Sequence, residues 1–178
     1  MMEANMRYLE VRRHTMRVKP GQHLSQAGVA LARQVGETMG PFDRVITSTA
    51  PRALETAIAM GFAVDEQYEA LGEMGRDVDE ELQWPASFVE VARIIGRGKA
   101  AAKFARAQAK LWRSIASSLP DGGRALVVTH GGIIEAAAIG CLPGADHATW
   151  GPACDYCEGL RLAFDGESFT DAEVLRVG

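Results

Sequence analysis

In Val11-Arg12-Arg13-His14-Thr15 an apolar run breaks into two arginines and a histidine. The residues leading into it, 7–11 (RYLEV), read as a β-strand. Neighbouring side chains of a regular strand point to opposite faces, so Arg13 and His14 can converge on one ligand only if the strand ends there. A cation and an imidazole at a strand end suggest an anion site. An isolated Arg-His pair is more often a surface or packing feature, so the reading depends on partners supplied elsewhere in the chain.

Working outward, Ser25 can cap a helix over 26–39 whose Ala27, Leu31, Val35 and Met39 share one face, and Gly40-Pro41 ends it. Residues 42–47 (FDRVIT) read as a second strand. Ser48-Thr49 before Pro51 marks a helix start, because proline fits the first turn, and Arg52 then lies in that turn. A short strand is expected within 62–69, and the acidic region holding Glu73, Asp77, Asp79, Glu80 and Glu81 reads as loop. Residues 85–119 are helical in pattern, with an interruption at Gly96 and Gly98 and a face of Phe104, Gln108, Leu111 and Ile115 in the second part. Residues 125–129 (ALVVT) are the clearest buried strand, and His130-Gly131-Gly132 leads directly into a helix through Ile139. The segments 158–164 and 170–177 around Asp165-Gly166 read as a terminal hairpin.

Strands alternating with helices predict an α/β fold, a three-layer single domain over 1–178 with a mostly parallel central sheet flanked by helices. Ligands of such sheets gather at the carboxyl edges of the strands. Three edges carry marked residues: Arg13-His14, Ser48 to Arg52, and His130 with its two glycines. Glycines allow backbone N–H groups to approach an anion, and arginines offer the planar, charge-assisted bonding suited to a phosphoryl group.

Composition narrows the classes. A chain of 178 residues, 47% hydrophobic and 24% charged, is expected to be one soluble globular domain. A net charge of -4 argues against nucleic-acid binding driven by overall charge. No stretch has the pattern of a targeting segment or the length of a membrane span, so no membrane partner and a cytoplasmic location are expected. Three cysteines, Cys141, Cys154 and Cys157, fit reduced thiols better than a disulfide framework. Cys154 and Cys157 form a CxxC, and with Cys141 and His147 they have the residue types of a zinc site, but the spacing is looser than structural zinc uses, so no metal and no cofactor are expected. Lys99, Lys103, Arg106, Lys110 and Arg113 recur at helical spacing as a basic stripe, read as a solvated face with docking of an acidic partner as its alternative.

Five blocks together resemble the histidine phosphatase superfamily, also called phosphoglycerate mutase-like. Residues 9–15 (LEVRRHT) resemble its strand ending in Arg-His-Gly, 24–28 (LSQAG) its LTxxG, 48–57 (STAPRALETA) its SPxxRAxxTA, 71–73 (LGE) its LxE, and 127–133 (VVTHGGI) its VSHGG. They occur in the family's order and cover nearly the whole chain.

The resemblance implies that His14 is the nucleophile that takes the phosphoryl group, and that Arg13, Arg52 and His130 hold the phosphoryl oxygens. It implies that Glu73 is the general acid that protonates the leaving oxygen and then the base that activates water, with Glu69, Asp77 and Glu80 as rival carboxylates in the same region. No metal is required by this scheme. The chain departs from the family at Thr15, which replaces the glycine of Arg-His-Gly and whose hydroxyl could instead donate to the phosphate. It departs again at Arg12, which replaces an apolar residue and is read as a surface residue paired with a carboxylate, and Arg17 adds a cation near the mouth. The expectation is a small phosphatase acting on a phosphorylated small molecule or a phosphoprotein. A mutase-like phosphotransferase and a non-catalytic phospholigand-binding member are the alternatives, and nothing in the sequence fixes an oligomeric state.

Overall fold

The run Ala125–Val128 is fully buried, which requires a neighbour on each edge and cover on both faces. The computed structural model, which describes residues 5–178, supplies both. Strands β1 (Arg7–Arg13), β2 (Arg44–Thr47), β3 (Glu66–Gln67), β4 (Arg124–Thr129), β5 (Gly159–Phe164) and β6 (Phe169–Leu175) form one sheet in the order β3-β2-β4-β1-β5-β6. The first four are mutually parallel, and the terminal hairpin adds β5 antiparallel to β1. This is the expected mostly parallel α/β sheet.

Helices α1 (Gln26–Gly36), α2 (Pro51–Ala59), α3 (Arg76–Glu81), α4 (Phe88–Ile95), α5 (Ala100–Ser117) and α6 (Ile133–Cys141) complete the layers. Period-two alternation sorts the core: Ala125 and Val127 pack with the cluster of Val91, Trp112 and Ile134 from α4, α5 and α6, whereas Leu126 and Val128 pack with Ala53 and Ala57 of α2. Among the described residues no helix is long and apolar enough to cross a membrane.

Several boundaries differ from the sequence reading for local reasons. Helix α1 stops at Gly36 rather than at residue 39, because Thr38 and Met39 bond the carbonyls of Val35 and Gly36 three residues back, a tighter turn. The expected strand at 62–69 shrinks to Glu66–Gln67. The acidic region is not all loop: Val78 and Leu82, one turn apart and both buried, anchor the short helix α3 while Asp77, Asp79 and Glu80 face water and Glu81 Oε2 accepts the Ala101 N–H at 3.2 Å. Two apolar residues are too few to show a periodicity in the sequence. Residues 85–119 form two helices, the first opened by a capping box between Ser87 and Glu90. The buried seam of α5 is Ala101, Ala105, Gln108, Trp112 and Ile115, with Phe104 and Leu111 only half-buried. Its small residues let α6 approach closely, since a Cβ on Gly140 would lie 2.4 Å from the Ala105 carbonyl oxygen. The basic stripe residues on α5 are exposed.

Two features fix β1 in place. Glu10, almost fully buried, receives Arg12 Nε at 3.0 Å and Arg161 Nη2 at 3.0 Å, so Arg12 is a buried partner of a carboxylate rather than the surface residue expected. Gly159, opposite Arg12, has no room for a side chain: a Cβ there would meet the Val11 carbonyl oxygen at 1.7 Å. Gly159→Ala should therefore prise β5 from β1 and destabilise the protein by about 2–4 kcal/mol, at the upper end of overpacking costs. Urea unfolding followed by circular dichroism measures this. Gly144→Ala, where a Cβ meets nothing within 4 Å, is the control.

Candidate active site

The parallel register of β1 and β4 pairs Arg13 with Thr129, so the residues that follow, His14 and His130, leave the sheet side by side. His14 N–H bonds the Thr129 carbonyl at 3.0 Å, and the two imidazole rings lie 5.1 Å apart at 57°. Both are more than nine-tenths buried.

His14 Nδ1 donates to the Thr15 carbonyl at 2.7 Å, which leaves Nε2 unprotonated, and its lone pair accepts from Arg52 Nε at 3.3 Å. Burial lowers the His14 pKa to about 4; the Thr15 carbonyl opposes the shift, and the charges of Arg13, Arg52 and Arg17 reinforce it. His130 is lowered to about 3 by burial first, then by His14, Arg52 and Arg13. Its Nε2 meets Ser48 Oγ at 2.7 Å, and its buried Nδ1 has no partner among the described residues. Ser48 Oγ also accepts the Ala50 N–H at 3.3 Å, which favours the hydroxyl proton going to His130 Nε2 and the ring proton residing on Nδ1.

Pro51 at the first position of α2 places Arg52 in the first turn, as the sequence implied. Gln22 Oε1 accepts from its Nη1 at 2.5 Å. Arg13 lines an adjoining cavity with Trp84 and Cys154: its Nη1 bonds the Cys154 carbonyl at 3.3 Å, and its guanidinium lies over the rings of both Trp84 and Tyr156. Arg17 is half-buried and its Nη1 is turned onto its own loop, 2.8 Å from the Gly21 carbonyl, so it reaches the site as charge rather than as a placed donor.

Thr15 leaves the expected phosphate-binding set. It is fully buried, its Oγ1 donates to the Gly28 carbonyl at 3.0 Å, and its N–H donates to Thr56 Oγ1 at 3.0 Å. A hydroxyl has one proton to give, and this one is spent. Nor does Thr15 adopt positive φ; Cys157 alone among the described non-glycine residues does. The glycines after His130 also serve differently from expectation. The Gly132 N–H is taken by Glu135 Oε1, and a Cβ on Gly131 would lie 2.4 Å from the Trp84 ring, so Gly131 makes room for an aromatic cover.

Glu73 is exposed and lines one cavity, of about 510 Å³, with Arg52, His130 and Gly131. Asp79 lines it too, a carboxylate the sequence reading did not single out as a rival. The rivals it did name lie elsewhere: Asp77 lines a neighbouring groove, Glu80 pairs with Arg76, and Glu69 opens a 3-10 turn. Sequence reasoning also missed Trp84, Tyr156, Gln22 and the buried Glu135. Only the aromatic pair carried a signal, as bulky rings in loops beside proline and cysteine. The remaining zinc-type residues do not assemble: among the described residues no three or more His, Cys, Asp or Glu could hold a metal, and His147 Nε2 is occupied by the Leu142 carbonyl at 2.8 Å.

The model of the histidine phosphatase superfamily (branch 1) matches residues 9–174. Among curated proteins none matches. Solved structures with the same fold include a phosphoserine phosphatase from Entamoeba histolytica, crystallised with 3-phosphoglyceric acid (16% identity, 96% of this chain and 98% of that one, TM-score 0.70). A mycobacterial glucosyl-3-phosphoglycerate phosphatase (19%, 97% and 100%, TM-score 0.67) and a phosphoglycerate mutase from Bacillus anthracis (19%, 99% and 94%, TM-score 0.65) share it as well. At such identities the likeness establishes the fold.

The two lowered histidines set a pH dependence of stability. In the unfolded chain each imidazole takes a proton near its ordinary 6.5, whereas in the folded state it does so only near 4 or 3. Between those values the unfolded state binds more protons, so stability is full above pH 6.5 and falls as pH drops through the window, by about 1.4 kcal/mol per pH unit per group. Urea midpoints measured from pH 7 to pH 5 should fall less steeply for a His14→Asn/His130→Gln double variant than for the parent. Parallel slopes would sink the assignment of two neutral imidazoles.

Proposed function

The chain belongs to the histidine phosphatase superfamily, and we propose that it is a phosphohydrolase that removes a phosphoryl group from a phosphomonoester or a phosphoprotein through a phosphohistidine on His14. The observation that carries this reading is the unprotonated Nε2 of a neutral His14, turned by its Nδ1 bond so that it accepts from Arg52 Nε at 3.3 Å, a donor that can pass to a phosphoryl oxygen as Nε2 attacks. A phosphate dianion repels nucleophiles, so its charge must be met by fixed donors before an imidazole can attack in line.

Arg13 and Arg52 meet the phosphoryl oxygens, and His130, on the cavity wall beside Arg52, adds a further contact to them. Arg17 contributes field. In the first step His14 Nε2 forms the P–N bond as the P–O bond breaks, and Glu73 gives its carboxyl proton to the leaving oxygen. In the second, Glu73 takes a proton from water as that water attacks phosphorus, and the P–N bond breaks to release inorganic phosphate and free His14. Arg13 and Arg52 supply positive charge of the kind a metal brings to other phosphatases, so activity should withstand chelators.

Hydrolysis is favoured over mutase transfer because Glu73 and Asp79, on the cavity wall, are both exposed. A mutase must shelter its phosphoenzyme from water. The substrate is a phosphorylated small molecule or a phosphoprotein, and the openness of this wall is compatible with either.

The test follows the first step in a rapid-mixing burst, with phosphoenzyme trapped in alkali because phosphohistidine is acid-labile. The parent should show label that His14→Ala loses entirely. Glu73→Gln should slow the burst with an alkyl phosphate by about 10²- to 10⁴-fold, the usual range for general acid catalysis, and leave the burst with a nitrophenyl phosphate nearly unchanged. A fully active His14→Ala enzyme would overturn the reading. Equal effects of Glu73→Gln on both substrates would move the acid role to Asp79.

A further inference from the structure

Arg12 and Arg13 are adjacent in sequence and are held by opposite means. Arg12 is paired with the buried Glu10 and bonds the Cys157 carbonyl at 3.0 Å, so its charge is neutralised inside the protein. Arg13 has no such partner. Its nearest carboxylate, Asp155, stands 3.6 Å from Nη1 with a side chain 76% exposed, where solvent screens the pair, and its Nε is buried without a hydrogen-bond partner among the described residues. Apart from the Cys154 carbonyl, 3.3 Å from Nη1, what flanks the guanidinium is aromatic: its Cζ lies 4.7 Å from the Trp84 ring centroid and 4.3 Å from that of Tyr156.

We propose that Trp84 and Tyr156 form an aromatic clamp that fixes the plane of the Arg13 guanidinium toward the phosphoryl group, making both rings positioning residues of the site. The inference rests on the reading of Arg13 as a phosphate ligand. A planar cation can be immobilised by ring faces through cation–π attraction and stacking without being neutralised. A carboxylate in the same place would hold the arginine equally well but would compete with the phosphate for its charge.

Both jaws are seated by the backbone that builds the site. Trp84 lies over Gly131, the residue after His130, where only a glycine leaves room for the indole. Tyr156 is carried by a loop tied down on each side: Cys157 N–H bonds the Arg13 carbonyl at 3.1 Å from a left-handed backbone (φ 63°), and Cys154 N–H bonds Glu135 Oε2 at 2.9 Å. The other oxygen of Glu135 accepts the Gly132 N–H, so one buried carboxylate links the turn under Trp84 to the loop that bears Tyr156. The Tyr156 ring also comes within 6.1 Å of the His14 ring, which places this jaw at the reacting centre.

The experiment measures the Kd for inorganic phosphate by calorimetry in a double-mutant cycle. Trp84→Ala and Tyr156→Ala should each weaken binding about ten-fold, the scale of a desolvated cation–π contact, and Trp84→Phe and Tyr156→Phe should restore most of the loss by restoring a ring face. In an Arg13→Ala background the alanine substitutions should cost less than about two-fold more, because the group they position is gone. Equal losses in both backgrounds, or no loss in either, would overturn the clamp. A second readout avoids the alanine variants: the Trp84 indole N–H signal, assigned with Trp84→Phe, should shift on Arg13→Ala, and an unmoved signal would also overturn it. If the parent and Arg13→Ala bind phosphate equally well, what fails is the phosphate role of Arg13 itself, a result separate from failure of the clamp.

Discussion

The 2.7 Å bond from His14 Nδ1 to the Thr15 carbonyl is the contact from which the rest of the site follows. It turns the ring, assigns its proton and leaves Nε2 as the unprotonated nitrogen, which accepts from Arg52 Nε. Alone it would make the ring more basic; burial and three nearby guanidinium groups outweigh it and keep the imidazole neutral. The carbonyl can do this only if Thr15 does not move. Thr15 is held by Thr56 of α2 through its N–H and by Gly28 of α1 through its hydroxyl, and Gly28 sits so close to Met16 that a Cβ would be 2.2 Å from the Met16 carbonyl oxygen. Thus the residue that replaces the family's glycine works as an anchor between two helices and the nucleophile's backbone.

Positive charge is the second requirement, and the protein distinguishes charge it stores from charge it presents. Arg12 and Arg161 converge on the buried Glu10, and Arg176 on Glu158 and the nearby carbonyls; these arginines pin β1 and the C-terminal segment. Arg13 and Arg52 are held by aromatic faces, backbone carbonyls and the neutral amide of Gln22, so their charge remains available to an anion. Breaking a buried ion pair strands the other charge, whereas releasing a cation from an amide or a ring strands none. The two groups of arginine therefore differ in what their loss would damage.

Much of this was legible in the chain. The strand-end position of Arg13-His14, the cap at Ser25, the proline that sets Arg52 in the first turn of α2, the buried β4 and the terminal hairpin are all signalled within a few residues, because strand period, capping and turn chemistry are local. Helix α3 was not, since its two buried residues make no readable period. The role given to the Thr15 hydroxyl was a reading of chemistry without geometry, and Gly28 had a prior claim on it.

The sequence by itself determined an α/β chain with chemistry-bearing residues at the carboxyl ends of three strands, because side-chain alternation and helix starts depend only on neighbours along the chain. Tertiary structure decided which of those ends meet. The strand order β3-β2-β4-β1 puts His130 beside His14, and the register of β1 on β4 brings them level. Ser48 reaches His130 and Trp84 covers Gly131 across long separations in sequence, and Tyr156 arrives only because the hairpin attaches to the free edge of β1. Such contacts depend on how strands pair and helices pack, and no local pattern of residues encodes the distance between two strand ends.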